Sequence, residues 1–471
     1  MGKASRLFNG QAEQTLHAKV TPSTEQRDFL QQRWNNLADH LKARLAQHGY
    51  GISTWLQGSY KYGTLIKPVK WGDQYDVDLG LYFEWEPQAG QPEPAPGQLR
   101  TWVQRELHSY KENAPELKEV AEPAKERCSR AIFTRRFHID TPTYHLDPQS
   151  DKRRLATLSG KWEDSDPKAL YKWFKKVQSG AEREQMRRLI RYLKAWAAVA
   201  FEGADDARPS SIVLTVLTAQ IYESMWLERF GGIDDEDALI LVVKRMYARL
   251  TESAEVWNPV NRKENLNRIS AAAWPVFMTR LTALLDCADA AEAAHDEFAA
   301  ACAWSAAFSY LMPLPETDLV EVEQDSTRMA IMQVPDVRIE VAEDVDFKTS
   351  VNTHENEVVE VAKNRWLRFS IANPQLVPPM ASIEWTVRND GADAESLGDL
   401  GHTQGGIGLH QVVERTAYAG KQYMDLVIRL NGTVYAARRV AVHIRDNHQL
   451  GQKRATPRAW LSLRTRKGRR R

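Results

Sequence analysis

QGSYKYGTL at 57–65 and YDVDLGLYFEW at 75–85 decide the reading of this chain. The apolar run before Gln57 breaks at Gly58, so a strand ends there. A glycine at such a break lets backbone approach a phosphate, with the following amides and the Ser59 hydroxyl as donors. The second segment has strand character, and residues two apart in a strand project from one face. Asp76 and Asp78 therefore share a face, about 7 Å apart along the chain. Strand interiors disfavour aspartate, and a divalent cation relieves the repulsion between two of them. Mg2+ prefers carboxylate oxygens and keeps places for water and phosphate. A solvated strand edge is the competing reading of the pair. FHIDTPTY at 137–144 reads as a second strand, with Asp140 between apolar neighbours and a Pro142 turn. Paired beside the first strand, it would complete a three-carboxylate site able to hold two metals for in-line phosphoryl displacement. Asp73 and Asp147 stand in more turn-like surroundings and rank lower.

Working outward, Leu30, Trp34, Leu37, Leu41 and Leu45 recur at spacings of three and four, which predicts an amphipathic helix over 25–48. The segment 87–97 holds four prolines and two glycines and reads as a loop, and 98–112 as a helix. From 167 to 312 the pattern is mainly helical, through RRLIRYLKAWAAVAF, SSIVLTVLTAQIYESMWLERF, ALILVVKRMYARLTESA and an Ala-rich run at 283–309. After 346 the period changes to alternation in WLRFSI, SIEWTVRN, QYMDLVIRL and TVYAARRVAVHI, with Asn431-Gly432 as a hairpin turn. The predicted class is α+β: a mixed core at 1–165, a helical half at 166–312, an acidic, proline-bearing boundary at 313–346, a small all-β sandwich at 347–448 and a basic tail at 449–471.

Composition excludes several classes. Of the 471 residues 43% are hydrophobic and 27% charged, as in soluble globular proteins. No run approaches the ~18 uncharged apolar residues of a membrane span. Cys128, Cys287 and Cys302 are too scattered for a disulfide framework or a zinc site. With no signal-like apolar segment at the start, a cytoplasmic location is expected. The net charge of +1 conceals nine Lys/Arg and no acid in 451–471. Without them 54 basic residues face 62 acidic ones, a net of −8. Such a tail is either a solvated end or a lure for polyanions such as nucleic acid, which is not expected as a substrate.

Gly-Ser, then Asp-x-Asp, then a lone strand Asp resembles the polymerase-β-type nucleotidyltransferase superfamily. Within it, QGSYKYGTL and FHIDTP are similar to the bacterial cyclic-oligonucleotide synthases, the SMODS relatives of bacterial cyclic GMP–AMP synthase in anti-phage CBASS operons. RYLKAW at 191–196 and RPSSI at 208–212 resemble the Lys and Ser that grip the donor triphosphate in that family. The resemblance covers about 25–310, and the β-rich end resembles the AGS-C domain, proposed to be a sensor.

The resemblance implies that Gly58 and Ser59 hold the donor phosphates and that Asp76 and Asp78 bind both of two Mg2+ (or Mn2+) ions. Asp140 would bind the metal nearest the attacking hydroxyl. Lys194 would neutralise triphosphate charge, and Ser210, or Ser211 one register along, would hydrogen-bond it. Gln57 and Tyr62 would line the nucleotide pocket, and Asn258 would face a base where relatives often carry an acid. The expected substrates are NTPs, ATP or GTP foremost, the product a cyclic di- or trinucleotide read by a downstream effector. Linear oligonucleotide synthesis, nucleotide transfer to RNA, tRNA or protein, and a non-catalytic nucleotide-binding sensor or scaffold are the alternatives.

Overall fold

The computed structural model describes residues 1–446 apart from 13, 71, 87–92, 135, 316–333, 350, 357–358 and 431–432. Most of the acidic boundary, the Asn431-Gly432 turn, part of the 87–97 loop and the basic tail therefore lie outside the described residues.

Two short helices, α1 (Ser5–Asn9) and α2 (Leu16–Val20), precede the long α3 (Thr24–Leu45), which a Ser23/Gln26 capping box starts. Then come β1 (Gly51–Gln57), the single-turn α4 (Gly58–Tyr62), β2 (Tyr75–Glu84) and α5 (Pro96–Asn113). Strands β3 (Leu117–Val120), β4 (Ser129–Phe133), β5 (Phe137–Thr141), β6 (Thr143–Leu146), β7 (Arg153–Ala156) and β8 (Trp162–Asp164) complete one eight-stranded sheet, ordered β3-β4-β5-β2-β6-β7-β8, with β1 also on β2. Pro142 divides the run 137–146 in two. The β5 half lies parallel to residues 75–78 of β2, and the β6 half parallel to 81–84. Alternation along β2 and β5 turns Tyr75, Val77, Leu79, Phe137 and Ile139 into a core shared with Leu37 and Leu41 of α3 and Val103 of α5. The acids are thereby left on the opposite face.

The helical half is built from α6 (Pro167–Val177), α7 (Gly180–Ala200), α8 (Ser211–Ser224), α9 (Asp235–Glu252), a small hairpin of β9 (Trp257–Asn258) and β10 (Asn261–Asn265), α10 (Trp274–Glu292) and α11 (Glu297–Phe308). The first residues of the chain belong to its core: Phe8 meets the rings of Tyr192 and Trp304 edge-on at 5.5 Å. The helix expected to run through MWLERF stops at Ser224. Met225 turns inward while Trp226, Leu227 and Phe230 face solvent, and Gly231 and Gly232 with positive φ end the segment.

The first described strand of the β domain starts at Val337, inside the expected boundary segment. It comprises β11 (Val337–Ala342), β12 (Asn352–Glu355), β13 (Val359–Ala362), β14 (Trp366–Ile371), β15 (Ser382–Asn389), a short α12 (Ala392–Leu397), β16 (Gly401–Ile407), β17 (Gln411–Arg415), β18 (Gly420–Leu430) and β19 (Thr433–Arg445). They form sheets ordered β12-β11-β14-β17 and β13-β19-β18-β15-β16, around one apolar core. The outer face of the larger sheet lies against the helical half. There the fully buried Asp425 accepts from Arg388 Nε at 2.5 Å and Arg439 Nε at 2.8 Å, and Arg388 also reaches the carbonyl of Ser309. Burial opposes its charge, but the two guanidiniums hold Asp425 below the usual carboxylate range. Asp425→Ala would take the counterion from the fully buried Arg388. We expect a loss of about 3–5 kcal/mol, read as a lower denaturation midpoint for the full chain.

Candidate active site

The register of the central strands assembles the site. In the parallel β2–β5 pair Asp76 lies opposite His138 and Asp78 opposite Asp140, and in the antiparallel β4–β5 pair Arg130 lies opposite Asp140. Opposed residues share a face, so three acids, an imidazole and a guanidinium meet on one side of the sheet. Ligand atoms of Asp76, His138 and Asp140 all come within 4.8 Å of one another. His138 Nε2 stands 2.9 Å from Asp76 Oδ1, and Asp140 accepts two bonds from Arg130, at 2.5 and 2.8 Å, with Lys125 at 3.9 Å.

Their electrostatics differ. Burial pushes Asp76 up, but contact with His138 and the charges of Arg130 and Lys125 outweigh it and hold the group below its ordinary value. Asp78, deeper in the cleft, is pushed well up by desolvation and then by the neighbouring Asp76 and Asp140. No bond to it from a described side chain is present to offset this. Two acids near a third that lacks a donor of its own form a set that fits hard divalent cations: oxygen-rich, net negative and facing a cleft. Asp76, Asp78 and Asp140 would hold such ions, with His138 within reach.

The strand break predicted at Gly58 is a left-handed residue, φ +57°, and a Cβ there would lie 1.9 Å from Asp78 Oδ2. Glycine is what lets the turn close on the acid. Helix α7 grips the far side of that turn from one face. Arg187 Nε donates to the Tyr62 carbonyl at 2.8 Å, Arg191 Nη2 to that of Gly63 at 2.5 Å, and Lys194 Nζ to the Thr64 carbonyl and hydroxyl at 3.2 and 3.1 Å. Burial, then the Arg191 charge, lower Lys194 to about 7.

A cleft of about 360 Å3 joins these parts, with Gly58, Ser59, Tyr62, Asp76, Asp78 and Lys194 in its walls. Arg208, Ser211 and Lys67 line it too. Of the Pro-Ser-Ser run, Ser211 reaches the cleft, while Ser210 stands at the N-cap position of α8 with no side-chain cap bond; both are exposed. Gln57 is turned elsewhere: its amide donates to the Tyr82 hydroxyl at 2.9 Å and accepts from that of Tyr144 at 3.2 Å. Tyr62 is buried edge-on against Phe174, centroids 4.9 Å apart. Asn258 lines a different cavity, of about 710 Å3, beside Asp166 and Glu264, and donates to Glu264 at 2.7 Å. His138 and Arg130 escaped the sequence reading, although alternation in FHID places His138 on the Asp140 face. Arg130 needed the β4–β5 pairing.

Known proteins resemble this chain in sequence and fold. The nucleotidyltransferase-domain profile of "Cyclic GMP-AMP synthase DncV-like" proteins matches residues 52–144, and that of the "Adenylyl/Guanylyl and SMODS C-terminal sensor domain" matches 320–445. A cyclic GMP-AMP synthase of Escherichia albertii is 28% identical over 427 residues, 89% of this chain and 90% of that protein. A c-di-GMP synthase of Roseivirga ehrenbergii is 25% identical over 250 residues, 46% of this chain and 61% of that protein. The apo crystal structure of Vibrio cholerae DncV superposes with a TM-score of 0.56 at 19% identity, covering 66% of this chain and 96% of that one, which shows the shared fold. The chain thus carries a DncV-like nucleotidyltransferase domain, in a polymerase-β-type fold, followed by an AGS-C domain.

Proposed function

We propose that this protein joins NTPs into a cyclic di- or trinucleotide that serves as a second messenger in anti-phage signalling. The observation that carries the reading is the placement of Asp76 and Asp78 in the wall of a cleft lined also by the Gly58–Ser59 turn that α7 clamps, with Asp140 opposite Asp78 on the neighbouring strand. The relatives' names, cyclic GMP-AMP synthase and c-di-GMP synthase, favour ATP and GTP as substrates.

Mg2+ or Mn2+ ions held by the three acids would offset triphosphate charge and make the attacking ribose hydroxyl more acidic. The residues of the chain supply the rest. Ser59 and the amides after Gly58 bind the donor β- and γ-phosphates. Lys194 and Ser211 meet the triphosphate from the helical side. The acceptor hydroxyl attacks the α-phosphorus in line and pyrophosphate leaves; a second transfer closes the ring. Positioning and preorganised charge, not a covalent intermediate, account for the acceleration. The product would act on a downstream effector in the cytoplasm.

The test is incubation of the purified chain with all four NTPs and Mg2+, with products identified by mass spectrometry after phosphatase treatment. A phosphatase-resistant small cyclic product is expected. Only linear chains, or label on RNA or protein, would overturn cyclisation.

Lys194 gives a pH-dependent prediction. The unfolded chain keeps this proton to about 10.5, the folded chain releases it near 7. Its contribution to stability is therefore complete above the higher value and lost as pH falls through the lower. A bound triphosphate restores the charged form. At pH 8 NTP binding should take up as much as one proton more in the wild type than in Lys194→Met, measured by calorimetry in buffers of different ionisation enthalpy.

A further inference from the structure

A third cavity, of about 90 Å3, lies between the two sheets of the C-terminal sandwich. Phe369, Met424, Val442 and Ile444 make its apolar wall, and Asn389, Asp399 and Glu414 its polar edge. The side-chain donors of Tyr418, His402, Thr416 and Asn389 around it are already engaged. The Tyr418 hydroxyl donates to Asp399 Oδ2 at 2.7 Å, His402 Nε2 to Glu414 Oε1 at 2.9 Å, the Thr416 hydroxyl to the Ala362 carbonyl at 2.8 Å, and Asn389 Nδ2 to the Asp399 carbonyl at 3.1 Å. The Arg415 guanidinium donates to Asn364 at 3.2 Å. Spare capacity is on the acceptor side: the second oxygens of Asp399 and Glu414 and Oδ1 of Asn389 receive no hydrogen bond from the described residues. An apolar wall with a few convergent polar groups is what small-molecule sites share.

The same edge is wired to the nucleotide cleft. Asp399 follows α12, whose Glu395 accepts from Lys67 Nζ at 2.7 Å. A Cβ on Gly398 would meet Arg136 Nη1 at 2.7 Å and Pro68 at 3.2 Å. Lys67 and Pro68 line the cleft of Asp76 and Asp78, and Arg136 immediately precedes β5 with His138 and Asp140. Five residues, 395–399, thus span from the cavity wall to the active site.

We propose that the sandwich cavity is a binding site for a small alkylammonium, its compact branched carbon body on the apolar wall and its N–H donors on Asn389, Asp399 and Glu414, and that residues 395–399 pass its occupancy to Lys67. An apolar cavity of about 150 Å3 takes benzene, so one of about 90 Å3 takes a compact body of about four carbon atoms. The relay half rests on the reading of the cleft as a nucleotidyl-transfer site; the binding half does not.

The test uses the full chain with isobutylammonium, isobutanol and isobutyrate as probes, first by calorimetry without nucleotide. Isobutylammonium should bind at least about tenfold tighter than isobutyrate, and Asp399→Asn should weaken it about tenfold. Val442→Phe, which fills the cavity, should abolish it. No binding at millimolar concentration, equal binding of the carboxylate, or binding that Asp399→Asn leaves intact overturns the site. Pyrophosphate release is then followed with and without isobutylammonium. The rate should change in the wild type and stay unchanged in Glu395→Gln, which still binds the probe. A wild-type rate indifferent to saturating probe overturns the relay. Absence of pyrophosphate release altogether counts against the nucleotidyltransferase reading and leaves the calorimetric result standing.

Discussion

Replacing Asp78 by Asn should abolish nucleotide turnover while making the cation-free protein more stable. The activity loss is expected to be on the order of 10³-fold, because the change removes one of the charges that would fix the reacting phosphates in a low-dielectric cleft. The stability gain follows from the field around the group. Desolvation and the charges of Asp76 and Asp140 raise the folded pKa of Asp78 well above its ordinary 3.8. The folded state then binds more protons than the unfolded one, so stability falls as pH rises from that value through the folded pKa. Asn has the same shape and no charge, and at neutral pH it escapes the penalty. Calorimetry with and without Mg2+ checks both halves. The wild-type midpoint should rise with Mg2+; that of Asp78→Asn should start higher and respond less. A variant less stable than the wild type in EDTA would mean that Asp78 is held by something other than a cation.

Gly58→Ala should damage the active site with a single methyl. The residue sits at φ +57°, which costs a side chain about 1–2 kcal/mol, and the methyl would fall 1.9 Å from Asp78 Oδ2. Either the turn or the acid has to move. A displacement of about 1 Å at the reacting centre costs on the order of 10²-fold in rate, so turnover should drop by at least that much with the circular dichroism spectrum preserved. The clash is specific, and a double-mutant cycle isolates it. Gly58→Ala should destabilise the wild type more than it destabilises Asp78→Ala, where the oxygen it collides with is gone. Equal cost in both backgrounds would place the strain in the backbone alone.

These two residues were legible before any coordinates, because their signals are local. A glycine at a strand break and two acids at i, i+2 need only the geometry of one strand. The long helices α3, α5, α7 and α9 were legible for the same reason, through apolar recurrence at three and four. Ser211 over Ser210, by contrast, is a matter of where α8 starts, and one residue of phase decides which hydroxyl looks into the cleft. Gln57 carries the strand's own alternation but is captured by Tyr82 and Tyr144, residues 25 and 87 positions away, which no local pattern announces. Asn258 lies on a hairpin whose cavity is walled by β7 and α6, at a distance from the acids that spacing along the chain does not encode.

The sequence alone therefore determined most element types, the paired acids and the turn that faces them, since each depends on residues within a few positions of one another; the strand at Val337–Ala342, ahead of the expected change of period, it did not. Only the tertiary structure decided which groups complete the site. Arg130 on Asp140, His138 on Asp76, the α7 cations on the turn and Glu395 on Lys67 are contacts across strands and domains, set by sheet register and packing of surfaces far apart in the chain. The physical reason is that side-chain direction repeats every two or 3.6 residues and can be read locally, whereas the partner opposite is chosen by the burial of whole faces.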